Sequence, residues 1–152
     1  MKLKVNPEFF KRHLAVTLLM AGLGCWFGYD GLVRYPATDA AALYESIEKS
    51  PPPAEFDLVA FKAQKIRSQH GLALAALIAA AAIGLHLWAV CRFEFEYDDE
   101  TFTYRGRRRK IAEIASVDRS KWEKKGIVRV DGITLDAWHH LGVREFHGML
   151  KR

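Results

Sequence analysis

Apolar positions along the chain fall first into two unbroken blocks and then into an alternating pattern. Residues 14–33 form the first block, and residues 71–91, interrupted only by His86, form the second. About twenty residues rising ~1.5 Å each cross the ~30 Å of a bilayer core, so each block predicts a transmembrane helix. After the second block the apolar period falls from 3.6 to 2. Phe93, Phe95 and Tyr97 alternate with Arg92, Glu94 and Glu96, and Phe102 and Tyr104 alternate with Thr101, Thr103 and Arg105. Asp98-Asp99-Glu100 between them reads as a turn, giving a hairpin with one apolar face. Ile111, Ile114 and Val117 lead on to Trp122. A second hairpin, Ile127-Val128-Arg129-Val130 and residues 133–138, is joined at Asp131-Gly132. The expected sheet is antiparallel, with about five strands. Leu141, Val143, Phe146 and Leu150 predict a closing helix within residues 139–152. The expected fold class is therefore membrane α + β: two transmembrane helices, then a small antiparallel sheet with a C-terminal helix.

Local signals refine the elements. Asn6-Pro7-Glu8 suits a helix start, with Asn as N-cap, Pro at the first helical position and an acid in the first turn. Lys2, Lys4, Lys11 and Arg12 also resemble the basic end of a cleaved signal. The apolar block exceeds the usual 7–15 residues and no small-residue cleavage site follows promptly, which favours an uncleaved anchor. Thr38 is placed to cap a short helix through residues 40–49, which Ser50-Pro51-Pro52-Pro53 stops. From Glu55 a helical pattern (Phe56, Val59, Phe61, Ile66) continues without a breaker into the second block. The expected divisions are 1–34 (N-terminal segment and first span), 35–69 (extracytoplasmic helical loop), 70–91 (second span) and 92–152 (cytoplasmic β domain).

Small residues suggest how the spans meet. Gly24 and Gly28 form a GxxxG spacing, and Ala75/Ala79 and Ala80/Gly84 form small-xxx-small pairs. In lipid, close backbone approach over such residues is a main source of helix association. His86 is the one strongly polar side chain of the second block and reads as structural rather than as a proton or metal group. Cys25 and Cys91 lie at opposite ends of the expected spans, too far apart for a disulfide.

Charge orients the hairpin. The 152 residues carry 23 Lys and Arg against 18 acids. Residues 1–13 hold four Lys/Arg and one acid, residues 34–69 five of each, and residues 92–152 fourteen against eleven. The positive-inside rule then puts both termini in the cytoplasm.

The sequence from F-E-F-E-Y-D-D-E-T-F-T-Y, through a basic segment and I-A-E-I-A-S-V-D-R-S-K-W, to K-K-G-I-V-R-V-D-G-I-T-L-D-A-W resembles the bacterial pleckstrin-homology-like (PH-like) domains found behind paired membrane helices. The resemblance covers roughly residues 92–150. It implies a curved antiparallel sheet capped by a C-terminal helix and used for binding. It supplies no catalytic residues, and about five strands fall short of the seven of the full fold.

The densest chemistry is cationic: Arg105, Arg107, Arg108, Arg109 and Lys110. If the return strand brings this run back to the bilayer, it would meet anionic headgroups, worth ~1 kcal/mol per cation near the surface, with the acids at 98–100 held away. Nucleic acid is not expected, because the cations are not interleaved with aromatics on a free soluble surface. Asp136, His139, His140, Glu145 and His147 lack metal-ligand spacing, and no nucleophile elbow, P-loop or C-x-x-C is present. No metal, cofactor or catalysis is expected. The leading expectation is an accessory or scaffold subunit of a membrane complex, binding other subunits or itself. The alternatives are an anionic-lipid or phosphate sensor and, more weakly, a metal-dependent enzyme using His139, His140 or His147.

Overall fold

Where the apolar blocks run unbroken the backbone is helical, and where they alternate it is extended. The structure is a computed structural model that describes residues 1–150, so the expected helix end at Arg152 lies outside the described residues. In chain order the elements are β1 (Lys4–Val5), α1 (Pro7–Tyr29), a π-helical turn (Asp30–Arg34), α2 (Tyr35–Ala37), α3 (Ala40–Glu48) and α4 (Leu58–Cys91). They continue as β2 (Phe95–Tyr97), β3 (Thr101–Tyr104), β4 (Arg107–Lys110), β5 (Val117–Asp118), α5 (Trp122–Lys125), β6 (Ile127–Val130), β7 (Ile133–Asp136), β8 (His140–Leu141) and α6 (Val143–Met149). The chain divides into two units, Leu14–Leu85 and the combination of Met1–His13 with His86 onward.

The helical unit holds most of α1 and α4. Both helices are long and apolar enough to cross a membrane, and only 17% of the most apolar stretch of each is buried. A core helix of a soluble protein would hide such a stretch; here Leu18, Trp26, Leu32, Leu74, Ile78 and Leu85 are all exposed. The 34 residues of α4 span roughly 51 Å at 1.5 Å each, so the helix begun at Leu58 does run unbroken into the apolar block.

The contact face differs in part from the expected one. A Cβ on Gly24 would lie 2.7 Å from Leu77 Cγ and Cδ2, so this glycine permits close approach. Gly28 has open space around it. On α4 the face runs through Ala73, Leu77, Ala80 and Gly84, at helical spacing; Ala75 is exposed and Ala79 half-buried. Gly24→Leu is expected to lower the midpoint for SDS-induced separation of the two helices, by overpacking worth about 1–3 kcal/mol. Gly28→Leu should leave it unchanged, and equal effects would remove Gly24 from the contact.

Asp39, not Thr38, caps α3: its carboxylate accepts from the amides of Ala41 (3.0 Å) and Ala42 (3.4 Å). Thr38 instead closes the preceding helix, its hydroxyl donating to the Arg34 carbonyl at 2.7 Å. Phe56 and Phe61 pack on Tyr44 at 4.8 and 5.0 Å between ring centroids. Asp30 is buried in the π turn beside Arg34, 3.4 Å away.

In the β unit, β2, β3 and β4 form one antiparallel sheet and β5, β6 and β7 another. Phe95 stands opposite Tyr104 and Tyr97 opposite Phe102, so both hairpin strands turn their aromatics to one face. Phe95, Phe102, Val128, Val130, Leu135, Val143 and Phe146 make the core. Phe146 of α6 reaches the rings of Phe95 and Tyr97 at 5.0 and 5.1 Å. The N-terminal residues belong here as well. β1 pairs with β8, Lys2 bridges Glu96, and the Leu3 amide donates to the Phe95 carbonyl at 2.9 Å, with Leu3 itself in the core.

Candidate functional site

The basic run is organised by β3. Tyr104 pairs with Arg107, leaving Arg105 and Gly106 as a two-residue loop at φ +49° and +76°. That conformation matches strand twist, and glycine at its second position removes half of the steric cost. From the loop β4 runs back along β3, with Thr103 opposite Arg108, Phe102 opposite Arg109 and Thr101 opposite Lys110. Strand alternation then places Arg107 and Arg109 on the face of Phe102 and Tyr104, and Arg108 and Lys110 on the other.

Arg105, Arg107 and Arg109 line one side of a cleft of about 460 Å³ whose other walls are Phe102, Tyr104, Asp131 and Ile133. The Arg105 guanidinium lies over the Tyr104 ring, 5.3 Å from its centroid. Arg109 stands 3.8 Å from Asp131. Asp131 occupies a two-residue loop with Gly132, between paired Val130 and Ile133, and its carboxylate accepts the Ala115 and Ser116 amides at 3.1 and 2.9 Å. Asp131 is thereby fixed as the anionic wall, while among the described residues Arg105 and Arg107 have no carboxylate within ion-pair distance.

One cation of the run is tied to the acidic turn at 98–100. Arg108 donates to Asp98 at 3.1 Å and to the Thr101 hydroxyl at 3.0 Å, because β4 has returned to the acidic turn by that point. Asp98 is held down to about 2, first by the Thr101 hydroxyl, then by the Glu100 and Thr101 amides, with Arg108 adding to them. Three guanidinium groups face the cleft, one is tied to Asp98, and Lys110 ends the strand. A second cleft, of about 480 Å³, lies among Trp122, Lys124, Lys125, Trp138 and Arg144, and nothing in the sequence pattern marked those distant residues as neighbours.

No family model, curated protein or solved structure matches the chain.

The histidines serve several places. His139 and His86 have ring centroids 5.2 Å apart, His86 and His13 6.1 Å, and Phe9 lies against His139 at 4.5 Å. His139 Nε2 is 3.7 Å from Asp136. His140, buried, places Nε2 3.1 Å from the Val90 carbonyl, an acceptor in the last turn of α4 that also takes the Phe93 amide at 3.2 Å. His147 stacks on Trp122 at 3.8 Å and is remote in role from the other two. Among the described residues no group of three or more His, Cys, Asp or Glu is placed to hold a metal ion.

Burial pushes both His139 and His140 below the usual 6.5; at His139 the nearby His86, His140 and His13 add to it, and Asp136 opposes it at both. A lowered histidine stays neutral when folded at a pH where the unfolded chain binds the proton. Stability is therefore full above pH ~6.5 and falls as pH drops through it toward the folded values. Denaturant midpoints for the β unit should be lower at mildly acidic than at neutral pH, and His139→Gln should flatten that slope. An unchanged slope would show that His139 is not desolvated.

Proposed function

We propose that the chain is a non-catalytic integral membrane protein of a bacterial inner membrane, an accessory or scaffold subunit that binds partner subunits through a cytoplasmic PH-like β unit. The observation that carries this reading is the joining, in one chain, of two outwardly apolar helices to a β unit whose most charged strand lies at a sheet edge. Large apolar side chains on α1 and α4 suit lipid or other helices. The arginine cleft suits recognition of a fixed anion, since guanidinium groups bind carboxylate and phosphate in a planar fork. Charge counting supports both termini on the cytoplasmic side. The alternating strands and closing helix support the PH-like reading. Affinity purification of the full chain from native membranes should return a stoichiometric membrane partner or a homo-oligomer; a lone monomer that brings down nothing overturns the reading.

A second reading, recognition of anionic lipid or a phosphate ligand, is favoured by Arg105 and Arg107, which face the cleft without a carboxylate partner among the described residues. The full chain would be placed in discs of neutral or of anionic lipid and its amide exchange compared. Slower exchange across residues 104–109 in anionic discs supports this reading, and identical exchange in both sinks it.

A further inference from the structure

β4 is the outer strand of its sheet: among the described residues, order β2-β3-β4 leaves one side of it without a strand neighbour. The register shows which of its backbone groups are unused. The Ile111 amide donates to the Glu100 carbonyl at 2.8 Å, so that pair faces inward, and inward and outward pairs alternate along an antiparallel ladder. Phe102–Arg109 and Tyr104–Arg107 are then inward pairs, whereas Thr101–Lys110 and Thr103–Arg108 turn their backbone groups outward. The Asp98 amide bonding to the Thr101 carbonyl at 2.9 Å agrees, since it points Thr101 toward β2. The N–H and C=O of Arg108 and the N–H of Lys110 therefore project from the free edge, beside four exposed cationic side chains, while the Lys110 carbonyl caps the short 3-10 turn at Ile111–Glu113.

An unpaired edge is a template for another strand, and the sign of its charge selects which one. A second copy of β4 would set arginines against arginines, which is unfavourable. A strand bearing carboxylates at alternate positions would set them against Arg107 and Arg109 on the cleft face, or against Arg108 and Lys110 on the other.

We propose that the free edge of β4 is a docking strand for an extended acidic segment of a partner protein, which pairs with the backbone of Arg108 and Lys110 and places carboxylates at the arginine cleft. This rests on the reading of the chain as a binding subunit and names the surface and the partner's chemistry. Arg105 and Arg107 at the cleft supply the charge contacts, and the outward backbone groups supply register.

The test separates backbone pairing from charge. The full chain in neutral-lipid discs is titrated with a fluorescent peptide of alternating Glu and Val. Lys110 has φ −79° and ψ 141°, which proline adopts without strain, so Lys110→Pro deletes one outward N–H and the charge, whereas Lys110→Gln deletes the charge alone. Saturable binding is expected, weakened about tenfold or more by Lys110→Pro and about twofold by Lys110→Gln. Independently of any variant, the Arg108 and Lys110 amides should gain exchange protection when peptide is added. Absence of saturable binding, equal loss in the two variants, no added protection at those amides, or abolition of peptide binding by anionic lipid in the disc overturns the proposal, the last because headgroups would then occupy the strand. A native partner that stays bound to Lys110→Pro as tightly as to the wild type overturns this docking edge and leaves the subunit reading standing; no partner on the wild-type chain sinks that reading instead.

Discussion

Phe146→Ala is expected to cost the β unit about 3–5 kcal/mol, most of what a unit of this size possesses. Phe146 has no exposed surface and meets Phe95, Tyr97 and Phe102, so its ring joins α6 to both strands of the first hairpin. Truncation removes the transfer free energy of the ring and leaves a cavity between rigid aromatics that cannot close over it. Tilted and edge-on aromatic pairs add to the loss beyond area alone. Urea titration of the full chain in discs, read by exchange at the Val128 and Val130 amides, measures the effect. The helical circular-dichroism signal should persist through the transition, because most of α1 and α4 belongs to the other unit. Leu141→Ala, at a position 49% exposed, should change the midpoint by less than ~0.5 kcal/mol. A loss below ~1 kcal/mol at Phe146 would mean that α6 does not close the core.

Much of this fold is legible in the order of residues because periodicity reports burial directly. The two apolar blocks become α1 and α4, and the alternating aromatics from Phe95 to Tyr104 become a hairpin around the expected turn. Asp131-Gly132 becomes the two-residue loop its composition demands. Legibility ends where an element is defined by its partner rather than by its own pattern. Arg107-Arg108-Arg109-Lys110 has no apolar alternation, so nothing local distinguishes a strand from a solvated turn; only pairing with β3 makes it extended. β1 and β8 are two residues each and come from opposite ends of the chain.

The same limit explains the candidate site. Sequence shows five cations in six residues, hence one patch. Strand alternation sends them to two faces, and the return of β4 to the acidic turn pairs Arg108 with Asp98. The wall opposite Arg109 comes from Asp131, more than twenty residues on, whose placement follows from hydrogen bonds to Ala115 and Ser116. The helix faces give a parallel case. Small residues mark where close approach is possible, and Gly24 uses it, but Ala75 and Gly28 do not, because helix rotation is fixed by the whole contact and not by any one spacing.

Leu3→Asp is expected to disrupt the β unit more severely than any exposed substitution, because it places a carboxylate in the apolar cluster that Leu3 shares with Phe95, Tyr97 and Val143. Leu3 is 4% exposed, and an isolated charge at such a site either costs several kcal/mol or takes up a proton. The loss propagates through backbone. β1 holds β8, the Leu3 amide holds Phe95, and the Tyr97 amide donates to the Met1 carbonyl at 2.7 Å, so displacing residue 3 releases one side of β2 and all pairing of β8. His140, in β8, would lose its place at the Val90 carbonyl as a consequence. Fast exchange at the Phe95, Tyr97 and Leu141 amides, together with loss of cooperative urea unfolding, is the expected signature. Lys2→Gln, which removes an exposed ion pair with Glu96, should leave both almost unchanged. A variant that unfolds at the wild-type midpoint would mean that β1 lies on the unit without being part of its core, and the sheet would then have to end at β2.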